Sequence, residues 1–468
     1  MVGREYEINR LKKSLLSDKS ELVAVYGRRR IGKTYLVRKT YGEHTKFEIT
    51  GLYNGSTEKQ LGVFLKELKR VSGKFTGIDK IKNWDEAFDL LKSYIKGLRG
   101  KSKKVIFIDE FPWFDTHKSG FLMYFAHFWN TFCEKRHDLV VVLCGSAASY
   151  MIRKIVSNKG SLHARLSYKL QLNPFTLRET KQLLENKNIN WTHYNIILLY
   201  IALGGIPHYL DKVEKGKSVV QNIQRLCFDP NGDLVNEFDE IFESLFIQSN
   251  THIEIVRYLG KTNKGITRDE LIKQTGFSGG GHFSKALDEL IASGFVSSYP
   301  SLGRKKKLTL FRLTDEYSRF YLKYIEPNKN QGKHFWKTMS QQQSFISWAG
   351  FNFETICLKH IDQLKTALGI DGIHSVNSSW RAEGAQIDLV ISRSDKWINL
   401  CEMKFYDKAF TIDSNVMETI RNKINLFKST TKTRHTVVLT MITSYGVTKN
   451  ENFYEIVEDD LTMDVLFG

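Results

Sequence analysis

The chain has 468 residues, 41% of them hydrophobic and 26% charged, which is ordinary for soluble globular protein and ample for several hydrophobic cores. Its five cysteines are scattered without C-x-x-C spacing, which argues against a disulfide frame or zinc site and for a reducing compartment. A net charge of +18 suits either a polyanionic partner or a merely basic surface, and no apolar run approaches the ~20 residues of a membrane span.

The opening Met-Val-Gly-Arg-Glu is charged at once and lacks the apolar core of a secretion signal, so a cytoplasmic location is expected. From residue 1 to about 165, apolar strands alternate with helical stretches. The strands are expected at Leu22–Tyr26, Lys46–Thr50, Val105–Asp109 and Leu139–Gly145. This alternation predicts an α/β fold with a doubly wound parallel sheet.

The first strand runs into Gly27, Arg28, Arg29, Arg30, Ile31, Gly32, Lys33, Thr34 and Tyr35, and a helical pattern follows. This is G-x-x-x-x-G-K-T in its required strand–loop–helix setting. Its backbone N–H groups close around phosphate, and the helix N-terminus adds its dipole, so ATP is the expected ligand. Lys33 is expected to reach the β- and γ-phosphates and the Thr34 hydroxyl to ligate Mg²⁺. A buried strand then ends in Asp109 and Glu110, the Walker B form. Asp109 is expected to hold Mg²⁺ through water and Glu110 to polarise the attacking water.

Residues 166–245 have helical periodicity broken by Gly204-Gly205-Ile206-Pro207. Residues 246–327 show helical patterns at His252–Leu259, Arg268–Thr275 and His282–Ser293, then strands at Phe295–Tyr299 and Leu308–Leu313. That is a winged-helix layout, with its wing at Arg304, Lys305, Lys306 and Lys307. Five cations and no acid lie from Leu302 through Arg312, so the wing is the expected DNA contact, directed at the backbone. The third helix offers His282, Ser284, Lys285, Asp288 and Glu289, which is not strongly basic, and a protein-facing role stays open. Asn328–Gln343 is polar and reads as a linker.

Residues 344–468 alternate again as helix, three strands, helix, strand. Asp388 lies in an apolar strand pattern, and Glu402 and Lys404 share one face of the next. With Phe353-Glu354 on the preceding helix, this is the D…E-x-K pattern and element order of the PD-(D/E)XK, restriction-endonuclease-like core. Asp388 and Glu402 are expected to hold Mg²⁺, with Glu354 a further oxygen and Lys404 orienting or deprotonating the attacking water. A retained fold without cleavage is the other reading. Gln386 stands where many relatives carry a further acid.

Val2-Gly3-Arg4-Glu5, the phosphate loop, Ile108-Asp109-Glu110-Phe111-Pro112, Cys144-Gly145-Ser146, Asn173-Pro174-Phe175, Gly204–Pro207 and Leu313–Phe320 together resemble the archaeal-type AAA+ ATPases, also bacterial, that carry a C-terminal nuclease-like domain. The resemblance covers essentially the whole chain. It implies an AAA+ domain over 1–165, a helical lid over 166–245, a winged helix over 246–327 and a nuclease-like domain over 344–468. It also implies that Val2, Gly3 and Arg4 flank the adenine and that Ser146 is a polar sensor beside the γ-phosphate. Arg165 would act as a finger on a neighbour's nucleotide in a homo-oligomer, or else make a structural ion pair. Two functions are compatible with these parts: an ATP-regulated, Mg²⁺-dependent DNA nuclease, and an ATP-gated signalling or scaffold switch whose C-terminal domain binds without cutting.

Overall fold

The computed structural model describes residues 2–157, 162, 164–246, 249–262, 265–300, 309–329, 331 and 334–468. It divides into two compact units, residues 1–173 and 174–468.

Unit 1 is built on strands β1 (Glu21–Tyr26), β2 (Thr45–Thr50), β3 (Lys104–Asp109), β4 (Leu139–Gly145) and β5 (Tyr168–Gln171). They form one parallel sheet in the order β2-β3-β4-β1-β5. β1, β3 and β4 are buried from end to end, which is why they read as continuous apolar runs. On one side, Trp84 packs edge-on against Phe64, Phe114 and Phe121 at centroid distances of 5.7, 5.6 and 4.7 Å. Truncating such a ring to Ala costs ~3–5 kcal/mol.

β5 was not legible, because of its four residues only Leu170 is buried. It completes the sheet, so the compact unit runs to residue 173 and not to the expected 165. With β1 between β4 and β5, and β3 between β2 and β4, the carboxyl ends of β1, β3 and β4 lie side by side. Ligand crevices of parallel sheets form at such ends.

Unit 2 begins with helices Leu177–Asn186, His193–Leu203, Val219–Cys227 and Glu237–Leu245. Next come helices Asn250–Gly260, Arg268–Thr275 and Gly281–Ala292, with strands β6 (Ile266–Thr267), β7 (Val296–Pro300) and β8 (Thr309–Leu313) in an antiparallel sheet ordered β6-β8-β7. Arg304, Lys305, Lys306 and Lys307, the expected wing, lie outside the described residues. Glu289, one of the residues the third helix offers, pairs with the buried His252 at 2.9 Å.

The stretch 328–343 departs from the linker expectation. It carries helix Phe335–Met339, whose buried Trp336 stacks on Phe228 at 5.4 Å and meets Phe320 and Phe345 edge-on. Its polar neighbours mask two aromatic anchors that fasten it to the fold.

Helix Gln343–Lys359 then leads to β9 (Ser375–Ala382), β10 (Ala385–Arg393) and β11 (Trp397–Lys404), helix Ser414–Thr431, β12 (Thr436–Thr443) and β13 (Asp459–Thr462). The sheet order is β13-β12-β11-β10-β9, with β9, β10 and β11 antiparallel and β11, β12 and β13 parallel. The unexpected β13 is half-buried, with no apolar run to announce it.

Several motif residues converge inside unit 2. Phe175 N–H donates to Gly205 O (2.6 Å), and Tyr200 Oη–H donates to Phe175 O (2.7 Å). A Cβ on Gly205 would lie 1.9 Å from Phe175 O, so only glycine permits this approach. Tyr317 packs on Tyr209 at 5.3 Å. Nearby, buried His360 donates from Nδ1 to Ile356 O (2.8 Å) and accepts the Leu177 N–H at Nε2 (3.1 Å). It thereby satisfies a helix-start donor, and burial pushes its pKa down to about 4.

Candidate functional sites

At the carboxyl end of β1, Gly27 turns with φ +145°; a Cβ there would meet Leu172 O at 2.3 Å and Ile31 Cδ1 at 2.6 Å. The loop returns through Arg30 (φ +67°) and Gly32 (φ +85°), which starts helix Lys33–Tyr41. Lys33 is 6% exposed, and its ammonium donates to Gly27 O (3.1 Å) and Arg28 O (2.8 Å). Burial pulls its pKa down, against the raising influence of Cys144, Glu110 and Asp109. A buried ammonium held by loop carbonyls and facing a glycine-lined turn fits an incoming phosphate, which would take over those hydrogen bonds.

The other expected groups gather around it. Thr34 Oγ1–H donates to Asp109 Oδ2 at 2.7 Å, and Asp109 Oδ1 accepts the Glu110 N–H at 3.0 Å. Glu110 sits in the left-handed region (φ +46°), and its Oε2 accepts both the N–H (3.1 Å) and the Oγ–H (2.7 Å) of Ser146. The carboxyl ends of β1, β3 and β4 therefore bring Lys33, Thr34, Asp109, Glu110 and Ser146 together. These hydroxyl and carboxylate oxygens are the donor type that Mg²⁺ takes.

Arg4, buried and left-handed (φ +61°), donates to Asn173 O at 2.5 Å and reaches Ile31 O at 3.5 Å, which ties the Val2–Glu5 segment to the loop. Arg28 and Ile31 are buried, Arg29 lies over the Trp113 ring at 5.8 Å, and Tyr35 is exposed. Arg165 is exposed too and ion-pairs with Glu134.

The second candidate site lies in unit 2. Ile387 pairs with Trp380 but Val390 with Ser378, so β10 carries one extra residue beside β9, a β-bulge at Asp388. Bulges re-aim a side chain out of strict alternation. Asp388 Oδ1 accepts from Arg312 Nη2 (2.8 Å) and Gln386 Nε2 (2.9 Å). On β11, Glu402 and Lys404 point the same way, and Lys404 Nζ donates to Glu402 Oε1 at 2.8 Å. Lys423, from helix Ser414–Thr431, donates to both Glu402 oxygens at 3.1 and 2.9 Å. Burial opposes ionisation of Glu402, but Lys404 and Lys423 outweigh it and hold the carboxyl below its usual range. Glu354, on helix Gln343–Lys359, is pushed up to about 9 by burial first and the Asp388 charge second. At neutral pH it carries its proton.

Glu354, Asp388, Glu402 and Lys404 thus line one cavity of about 600 Å³, with Arg381, Gln386 and Lys423. The carboxylates, and a buried Gln386 Oε1 without a hydrogen-bond partner, are hard oxygen donors that fit Mg²⁺. Among the described residues, however, no group of three or more His, Cys, Asp or Glu side chains is arranged to hold a metal. Each ionised carboxylate is already turned toward a protein cation.

Sequence reasoning missed Arg312 and Lys423 as members of this site. Both left a signal: Lys423 interrupts the helical stripe of Ile420, Ile424 and Phe427, and Arg312 sits between Phe311 and Leu313 in an apolar strand. A cation at a core-facing position needs a buried acid.

Residues 1–213 match the model of a family described as an ATPase domain predominantly from Archaea, and the first site lies within the matched stretch. An uncharacterized protein of Methanocaldococcus jannaschii is 26% identical over 424 residues, 87% of this chain and 88% of the relative. A Walker-type ATPase of Pyrococcus abyssi aligns in structure with a TM-score of 0.48 and 19% identity, over 69% of this chain and 96% of its own. The ORC2 protein of Aeropyrum pernix, solved as ADPNP and ADP complexes, aligns with a TM-score of 0.43 and 16% identity, over 72% of this chain and 95% of its own.

Proposed function

We propose that this chain is an AAA+ protein that binds and hydrolyses ATP in unit 1 and couples this to a metal-dependent DNA nuclease in its C-terminal domain. The ATPase half is supported by the Lys33–Thr34–Asp109–Glu110–Ser146 cluster and by the family match over residues 1–213. Lys33 would leave the loop carbonyls for the β- and γ-phosphates. Thr34 and Asp109 would hold Mg²⁺, which supplies charge compensation to the phosphates. Glu110 would orient the attacking water and accept its proton, with Ser146 holding the carboxylate in place. Val2, Gly3 and Arg4 would flank the base, and Arg165 would act across a homo-oligomer interface of ATPase domains.

The nuclease half rests on one observation: Glu354, Asp388, Glu402 and Lys404 line a single cavity. Asp388 and Glu402 would hold Mg²⁺, which offsets charge building on a scissile phosphate, with Glu354 a further oxygen once deprotonated. Lys404 would orient the attacking water. The net charge of +18 and the run Arg304–Lys307 support DNA as the substrate, held largely through its backbone. The cellular compartment in this reading is the cytoplasm.

A second reading, an ATP-gated switch whose C-terminal domain binds without cutting, is favoured by the ion pairs on Asp388 and Glu402. Cleavage of supercoiled, linear and branched DNA across a metal series, with and without ATP, separates the two. Wild type should cut, Asp388→Ala should not, and Lys404→Ala should lose cutting but still bind metal, because an ammonium is no ligand. If wild type cuts nothing with any metal or nucleotide, the switch is the better reading.

A further inference from the structure

We propose that Arg312 latches the C-terminal cavity: its guanidinium occupies Asp388, and a divalent cation binds there only by displacing it. The inference rests on reading Asp388 and Glu402 as cation ligands, and it says what controls access to them.

Arg312 belongs to β8, within the module of residues 250–313, and not to the sheet that carries Asp388. It is only 4% exposed, donates from Nη2 to Asp388 Oδ1 at 2.8 Å, and lies over the Tyr299 ring at 5.7 Å. Its neighbours Phe311 and Leu313 are buried, so β8 holds the arginine in place. Thr262 and Ile266 of the same module line the cavity as well.

Lys404 and Lys423, the cations on Glu402, come from the C-terminal domain itself and travel with the site. Arg312 is supplied by a different module, and this makes its pairing a contact that module movement can break. A metal ion on the Asp388 carboxylate would stand beside the guanidinium already on Oδ1, and at this depth water screens their repulsion poorly. The two are therefore linked negatively, and the linkage is reciprocal. Whatever affinity the cation loses to Arg312, the docking of the module loses to the cation. Removing the arginine leaves the partly buried Asp388 with Gln386 as a donor and no cation on it, a state that a metal ion relieves.

The test is Mn²⁺ binding to the full chain, without nucleotide, by calorimetry and by the loss of free Mn²⁺ signal in electron paramagnetic resonance. Arg312→Gln should bind Mn²⁺ about tenfold or more tightly than wild type. Arg312→Lys should fall between them, and Asp388→Asn should lose the site. In wild type, Mn²⁺ should also speed amide exchange over 309–313, a change that a purely structural arginine would not produce. Circular dichroism melts check that each variant folds, and if Arg312→Gln does not, Arg312→Lys and the exchange measurement decide. Asp388-dependent binding that is equally tight in wild type and Arg312→Gln would overturn the latch and leave the metal site standing. If no variant binds Mn²⁺, the metal-site reading fails and the latch goes with it.

Discussion

The two candidate sites hold their reactive groups in opposite ways. At the phosphate loop, Lys33 rests on two carbonyls, Thr34 on one carboxylate oxygen, and Glu110 on a hydroxyl and a backbone N–H. Such hydrogen bonds to charged groups contribute roughly 1.5–3 kcal/mol each, and an incoming phosphate replaces those of Lys33 in kind, so the loop is primed for an anion. At the C-terminal cavity, Asp388 and Glu402 are bound by Arg312, Lys404 and Lys423. Removing one partner of such a partly buried pair leaves an uncompensated charge away from water, which a change of hydrogen-bond partner does not. Two acidic sites in one chain thus differ in readiness, and the difference lies in the charge of what already sits on the acid.

The sharpest way to break this comparison is at Glu110. Glu110→Gln should keep ATP affinity and slow steady-state hydrolysis by roughly 10²–10⁴-fold, the contribution of a placed general base. Undiminished turnover would remove it from that role and leave Ser146 holding a spectator. Lys33→Ala should weaken ATP binding by about 10–100-fold, as expected for losing charge-assisted hydrogen bonds to phosphate. Isothermal titration reads this directly, and unchanged affinity would sink the site assignment.

A neutral counterpart in unit 2 sharpens the contrast. His360 has its folded pKa at about 4, below the ordinary 6.5, so the folded state favours the neutral ring. Its stabilisation is fully present above the ordinary histidine pKa and is lost as pH falls from there toward 4. Between pH 7 and pH 5 this amounts to roughly 2 kcal/mol. Urea midpoints for wild type and His360→Gln should show the variant with the flatter acid limb; parallel curves would assign the pH dependence elsewhere. The smallest effect is expected at the basic run. Changing Arg304, Lys305, Lys306 and Lys307 to Gln should shallow the log K versus log salt slope for DNA by about one unit for each phosphate no longer neutralised. An unaltered slope would assign that basic run to protein or solvent.

What could be read in advance follows from how local each signal is. β1, β3 and β4 announced themselves because both their faces are buried, and the phosphate loop because its chemistry is contiguous. β5 hid because Lys169 and Gln171 face outward, and the anchoring helix at Trp336 hid among polar neighbours. The Glu110–Ser146 bond joins residues 36 apart, and the Arg312–Asp388 pair residues 76 apart. No periodicity reports such a pairing; only the stray cation in an apolar pattern hints that a partner exists.

The bulge in β10 has a consequence for how this domain tolerates change. In a regular strand, replacing a residue alters its chemistry and leaves its direction alone. Here Asp388 and Leu389 together stand opposite Ser379 alone, between the pairs Ile387–Trp380 and Val390–Ser378. Deleting Leu389 would restore one-to-one pairing with β9 and move every β10 residue after Asp388 by one place against that strand. The cavity is therefore specified by spacing as well as by identity. A frame-preserving loss of one codon there would disturb it with both carboxylates still in place.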